Sequence, residues 1–176
     1  MNIRPVRPSD APAIATIYAP HVSEGTASFE LSPPDEMEMA ERIRRTVGER
    51  PWLVYEDGGR VWGYAYAGKH RERPGYQWSV EVSVYVHHGK HRAGVARALY
   101  AELLQELTRL GYYNAYAIIT LPNIASVGLH ESFGFVPVGV CRNAGFKLGR
   151  WWDVGWWQKS LRAYTVPTGA PVSLAG

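Results

Sequence analysis

From Ser79 to Val86 the chain alternates strictly, with Val80, Val82, Val84 and Val86 on one side and Ser79, Glu81, Ser83 and Tyr85 on the other. A period of two predicts a strand with one apolar face. Downstream the period changes. Val95, Leu99, Leu103, Leu107 and Leu110 recur at helical spacing, which predicts an amphipathic helix stopped by Gly111. Upstream, "WLVYE", "DGG" and "RVWGYAYAG" predict a hairpin from Trp52 to Gly68. Two helices are expected before it. Ser9 is read as the N-cap of "DAPAIATIYAPHV", and Ser32, with Pro33 in the first turn, as the cap of "SPPDEMEMAERIRRTV". After the central helix come a strand "NAYAIIT", a short helix "ASVGLHESF" ended by Gly134, and late strands in "FVPVGVCR" and "WWDVGWWQKSL". The order α-α-β-β-β-α-β-α-β-β predicts an α/β (α+β) domain built on one mixed sheet.

At 176 residues the chain is long enough for a core without disulfide staples. A single domain is expected over residues 1–161. The last stretch, 162–176, is rich in Pro, Gly, Ser and Ala and reads as a loose tail. The formal charge of +3 is spread along the chain. That favours a small anionic ligand over nucleic acid. The single cysteine, Cys141, excludes an internal disulfide and a cysteine metal cluster, and it is expected as a buried small hydrophobe. The opening "MNIRPVRPSD" is too polar for a signal peptide, and no apolar run approaches membrane-spanning length. A cytoplasmic protein is expected.

The alternating strand runs through "HHGKHRAGVA" directly into the central helix. A loop that ends at a helix N-terminus presents free amides and a positive dipole to an anion. Gly94 and Ala96 let backbone approach a ligand, while Arg92 and Arg97 are suited to bidentate phosphate contacts. The loop is neither a Walker A sequence nor the dinucleotide fingerprint. Taken alone, it is equally an ordinary helix start with solvated arginines. His87, His88 and His91 match no standard metal spacing, and no metal is expected.

Several blocks together resemble a known family. "HRAGVARAL" is similar to the Q/R-x-x-G-x-G/A pyrophosphate loop of the GNAT N-acetyltransferases, with His91 where Gln or Arg is usual. "NIASVGLHESFGF" is similar to that superfamily's second block. "TASFE", "RERPGYQWSVEVSVYV" and "GFKLGRWWDVGWWQKSL" resemble the phosphinothricin and methionine sulfoximine acetyltransferase branch. The resemblance runs from about Ile3 to Leu161. It implies a central, mostly antiparallel sheet with a splayed middle strand, acetyl-CoA as co-substrate, and a small amino-acid-like acceptor. It also implies a homodimer paired through the late segments.

The resemblance also places the site. Amides of His91, Arg92, Ala93, Gly94, Val95, Ala96 and Arg97 would hold the pyrophosphate. Backbone of Val84, Tyr85 and Val86, with Asn123 and Ser126, would hold the pantetheine arm. Asn123 is equally well placed as a helix cap.

Acetyl transfer to an amine needs a base, an oxyanion partner and a proton for the thiolate. Glu81 is either a residue on a solvated face or a partly desolvated base; the resemblance favours the base. His130 stands where most of the superfamily has a tyrosine acid, and imidazole can act as acid or base. Phe29, Arg71, Arg73, Tyr76 and Lys147 match acceptor-binding positions of the branch. Two other classes remain open at this point: an acetyl-CoA sensor without turnover, and an acetyltransferase of protein or peptide amines.

Overall fold

A computed structural model describes residues 2–174. Within them the chain forms β1 (Asn2–Pro5), α1 (Ala11–Ser23), α2 (Glu36–Val47), β2 (Trp52–Asp57), β3 (Arg60–Lys69), β4 (Ser79–Val86), α3 (Val95–Arg109), β5 (Asn114–Leu121), α4 (Ile124–Ser132), β6 (Val136–Lys147) and β7 (Arg150–Ser160). One seven-stranded sheet runs β1-β2-β3-β4-β5-β7-β6. All its pairs are antiparallel except β4–β5.

The two strand faces feed two cores. Val80 and Val82 of β4, with Ala65, Ala67, Ala115, Ala117 and Ile119, pack under Val95, Leu99, Leu103 and Leu107 of α3. The helical stripe read from the sequence is therefore the buried one, and Gly111 at φ +92° follows its end. On the opposite face Trp52, Val54 and Tyr64 pack against Ile14, Tyr18 and Val22 of α1 and Met39 and Ile43 of α2.

The β4–β5 pairing positions the site. Only Ser79, Val80 and Glu81 pair with Asn114, Ala115 and Tyr116. Beyond Glu81 the strands part: β5 continues against β7, and β4 continues against β3 alone. The edge of β4 from Val82 to Val86 that faces β5 is left without a strand partner, so its backbone groups must find others.

Several boundaries differ from the sequence reading. Ser9 lies inside a short 3-10 turn, and Asp10 follows it as the residue before α1. Asp10 is held there because Arg4 spans both its carboxylate oxygens at 2.8 and 2.9 Å, an ion pair that no local pattern announces. The cap of α2 is Asp35, whose carboxylate accepts from the Glu38 amide at 2.8 Å; Ser32, Pro33 and Pro34 precede the helix. The strand β1 was not expected, being four residues long and stabilised through its pairing with β2. The strand β6 is longer than read and extends through "NAGFK".

Cys141, expected buried, is exposed, because β6 is the outermost strand and neither of its faces is covered there, so that residues pointing both ways are exposed. The tail through 174 carries no helix or strand and touches the domain at three points. Val172 N donates to Leu110 O at 2.8 Å, Trp78 Nε1 to Gly169 O at 2.9 Å, and Ser173 Oγ to Gly48 O at 2.6 Å.

Candidate active site

Where β4 and β5 part, a cleft of about 70 Å³ opens, lined by Val82 to Tyr85, by Ile118 to Thr120, and by Tyr100, Asn123, Ser126 and His130. It shares Val84, Tyr85 and Ser126 with a larger groove of about 510 Å³ that runs to His91, Arg92, Gly94 and Arg97 at the start of α3. The two form one channel, from the middle of the sheet to a helix N-terminus.

The outer end is built from backbone. Gly94 is the residue before α3 and sits at φ +80°, and Arg92 is also left-handed at φ +61°. Left-handed residues interleaved in a turn make successive amides converge into an anion-binding concavity. A Cβ added at Gly94 would meet no atom within 4 Å. The space in front of the amides is open, and the glycine is required by φ as well. His91 has folded back: its Nε2 lies 3.1 Å from the Val86 carbonyl and donates to it. Arg97 reaches across to α4, with NH2 3.0 Å from Ser132 Oγ and its guanidinium over the Phe133 ring. Arg92 is exposed.

In the cleft, Asn123 caps α4 through the Ser126 amide at 3.1 Å while its side chain also lines the wall. His130 is buried, at 4 % exposure. Its Nδ1 lies 2.7 Å from the Ser126 carbonyl, which can only accept, so Nδ1 carries the ring hydrogen. Its Nε2 then accepts from Tyr100 Oη at 2.8 Å. Burial pushes the imidazole below its ordinary value, with the Ser126 carbonyl partly opposing it. Both nitrogens of a neutral ring are thus occupied, and Nε2 holds no proton to give.

Glu81 is the last residue of the β4–β5 pairing, one position before Val82, where the cleft wall begins. Its carboxylate is partly exposed. Burial pushes it above the ordinary carboxylate range, and the hydrogen bond from His70 pulls it back. His70 Nδ1 lies 3.1 Å from Oε1, and Arg71 NH1 3.4 Å from the same oxygen. Arg71 also lies over the Trp156 ring, at 5.1 Å. Tyr76 stands edge-on to His70, at 5.8 Å.

The other expected acceptor residues lie apart from this group. Arg73 is exposed, in the turn before Tyr76. Lys147 is buried and donates to Ser28 O at 2.6 Å, tying the α1–α2 loop to β6; burial pushes its ammonium down and Glu30 partly restores it. Phe29 sits in that loop with its ring against the backbone at Gly145.

Sequence reasoning missed His70, Tyr100 and Tyr116. Tyr100 sits one residue beyond Leu99 of the buried stripe and could have been read as a core polar tip. His70 and Tyr116 carried no local signal, since both meet Glu81 only through strand register.

A family model described as an acetyltransferase (GNAT) domain matches residues 3–156. The chain is 38% identical to a phosphinothricin N-acetyltransferase of Streptomyces viridochromogenes, over 95% of this chain and 91% of that protein. It is 34% identical to an L-methionine sulfoximine/L-methionine sulfone acetyltransferase of Salmonella typhimurium, over 95% and 98%. Among solved structures, a phosphinothricin acetyltransferase from Sinorhizobium meliloti in complex with acetyl-CoA superposes with a TM-score of 0.91 at 35% identity, covering 96% of this chain and 94% of that one. A putative acetyltransferase from Salmonella typhimurium with its cofactor acetyl-CoA gives 0.92 at 33%, covering 97% and 99%.

Proposed function

The chain belongs to the GNAT acetyltransferase family, and from that premise we propose that it acetylates the amino group of a small amino acid or analogue whose other end is polar or anionic, such as phosphinothricin or methionine sulfoximine. It is an N-acetyltransferase that uses acetyl-CoA. The observation that carries the acceptor reading is the group around Glu81. A carboxylate raised by burial stands where β4 and β5 part, one residue before Val82 of the cleft wall, with the Arg71 guanidinium at 3.4 Å and Tyr76 and Trp156 around the His70–Arg71 pair.

The residues fit such a pair of substrates. Gly94 to Arg97, at the first turn of α3, line the larger groove, which is suited to a pyrophosphate, while the Ala93 amide is taken by the Lys90 carbonyl. The edge of β4 at Val84 and Tyr85, without a strand partner toward β5, offers backbone groups to a pantetheine arm and to the acyl oxygen, next to the Val86 carbonyl that His91 occupies. The amine nitrogen adds to the thioester carbonyl of acetyl-CoA, the C–S bond then breaks, and CoA leaves as a thiolate that takes its proton from water. Glu81 takes the proton that the attacking amine loses, directly or through one water. Arg71 draws the anionic end of the acceptor toward Glu81. Transfer is direct, within a ternary complex. Cys141 lies on the outer strand, away from the channel. His130 and Tyr100, bonded to each other, form a neutral part of the wall of the β4–β5 cleft.

We further propose that the enzyme works in the cytoplasm as a homodimer. Val136, Val138 and Val140 of the outer strand β6, with Phe146, Leu148 and Trp151 near its hairpin, form an exposed apolar surface that a second copy would cover.

The test is acetyl-CoA turnover, read by thiol release, against amino acids with neutral and anionic ends, phosphinothricin, methionine sulfoximine and N-terminal peptides. Turnover with the two analogues and little with peptides supports the reading. Preferred turnover of peptides, or acetyl-CoA binding with no turnover on any acceptor, overturns it.

A further inference from the structure

Glu81 has two oxygens, and the structure treats them differently. Oε1 receives His70 Nδ1 at 3.1 Å and Arg71 NH1 at the longer 3.4 Å. Oε2 has no hydrogen bond among the described residues. Arg71 NH1 is also closer to another acceptor, the His70 carbonyl at 3.0 Å, so His70 is the better placed of the two donors.

The imidazole is fixed on three sides. It stacks on Tyr116 with ring centroids 4.3 Å apart and 10° between planes, meets Tyr76 edge-on at 5.8 Å, and meets Trp156 edge-on at 6.1 Å. Its side chain is only 9% exposed. Tyr116 is the register partner of Glu81 in the last rung of the β4–β5 pairing. One rung of sheet thus holds both the carboxylate and the ring that aims a donor at it.

We propose that His70 is the positioning residue for Glu81: its Nδ1–H holds Oε1, fixes the carboxylate at the fork of the sheet, and leaves Oε2 as the oxygen that takes the amine's proton. Against an ionised carboxylate, which can only accept, Nδ1 must carry the hydrogen, so the neutral imidazole suffices. The groups that face this pair are Arg71 beside it, Tyr66 along β3, Tyr76 in the turn after His70 and Tyr116 on β5; Lys69 and Glu72 are paired with each other at 2.6 Å. Arg71 is thus the second donor on the carboxylate, and a cation. The sign of the effect is fixed. Burial raises Glu81 and the His70 bond opposes it, so removing the donor leaves burial less opposed and moves the carboxylate up.

This inference rests on Glu81 as the base, and three variants separate the two. His70→Phe keeps a flat ring on Tyr116 and loses the donor. His70→Asn keeps an N–H near the Nδ1 position and loses most of the ring. Glu81→Gln tests the base alone. A hydrogen bond to a charged group is worth roughly ten- to hundredfold in an equilibrium. His70→Phe is therefore expected to lower kcat by about that factor, to move the acidic limb of kcat/KM to higher pH, and to leave the acetyl-CoA KM unchanged. His70→Asn is expected to return the limb toward its wild-type position. An unmoved limb in His70→Phe, or equal damage in both variants with no movement, overturns the positioning role while Glu81 stands as base. Near-normal kcat in Glu81→Gln removes the base and this inference together.

Discussion

Tyr100 donates its hydroxyl hydrogen to Nε2 of His130 across 2.8 Å, and the Ser126 carbonyl takes the hydrogen of Nδ1 at 2.7 Å. The ring is buried and held below its ordinary value, chiefly by desolvation. A histidine in this state is disfavoured as imidazolium, and its Nε2 accepts a hydrogen bond where a thiolate acid would have to donate one. His130→Ala is therefore expected to leave the acidic limb of the pH–rate profile where it is, whatever it does to kcat. Tyr100→Phe strands Nε2 without a partner and should cost about 1–3 kcal/mol of stability, read by urea unfolding. Loss of the acidic limb in His130→Ala would pass the proton-accepting role from Glu81 to His130.

The left-handed backbone at Gly94 gives the outer end of the channel its own test. A valine there is strained at φ +80° and also fills the open space in front of the amides. Gly94→Val should weaken acetyl-CoA at least about tenfold, the loss of one or two charge-assisted hydrogen bonds. Calorimetric titration measures it, with circular dichroism to show that the variant is folded. Unchanged affinity in the folded variant would move the pyrophosphate elsewhere.

Periodic elements were legible in the sequence and paired ones were not. The α3 stripe from Val95 to Leu110 and the alternation of β4 are set within a few residues, and both stand as read. The caps at Ser9 and Ser32 failed for different reasons: Ser9 is drawn into a 3-10 turn in which Asp10 holds the Arg7 amide and the Arg4 guanidinium, and Asp35, three residues after Ser32, takes the capping bond from Glu38. The burial expected of Cys141 failed because strand order, which no local pattern encodes, makes β6 an edge. The same limit hid half the site. Glu81 is visible as a lone carboxylate among valines, whereas His70 and Tyr116 become its neighbours only once β3, β4 and β5 are in register.

The Arg4 cluster should show in acid. Asp10 is pushed up by burial but more than compensated by Arg4 and by the Arg7 amide, so it lies below its ordinary value of 3.8. A depressed carboxylate contributes stability above its unfolded value and loses it as pH falls through the folded one. At neutral pH Asp10→Asn should be less stable by about 1–3 kcal/mol, the loss of bonds to a charged group. The gap should close progressively below pH 3.8. Chemical unfolding at neutral and acid pH measures it; a constant gap would assign the loss to packing.

The outer strand makes a separate prediction. Val138 is 59% exposed, between Val136 and Val140 on the edge strand. If a second copy covers this strand, Val138→Glu places a charge in an apolar contact and should shift the mass seen by light scattering from dimer to monomer. A wild-type monomer across a wide concentration range would refute the dimer.

Glu81 links activity and stability with opposite signs. General-base assistance is worth roughly 10²–10⁴-fold, so Glu81→Gln should lose kcat by that factor while binding acetyl-CoA normally, because the amides at Gly94 lie in the groove at the start of α3, which Glu81 does not line. The acidic limb should vanish with the carboxylate. Stability should go the other way. Burial raises Glu81 above its ordinary value of 4.5, so its neutral form suits the fold better than its charged form. The associated stability is full below the unfolded value and lost as pH rises through the folded one. Glutamine imitates the neutral form at every pH and can still accept from His70. At neutral pH the variant should therefore melt at or above the wild-type temperature, with the difference disappearing in acid. An inactive but more stable Glu81→Gln would show that the carboxylate is kept at the fork of the sheet against the preference of the fold. A variant that is both inactive and markedly less stable would reassign Glu81 to holding β3, β4 and β5 together.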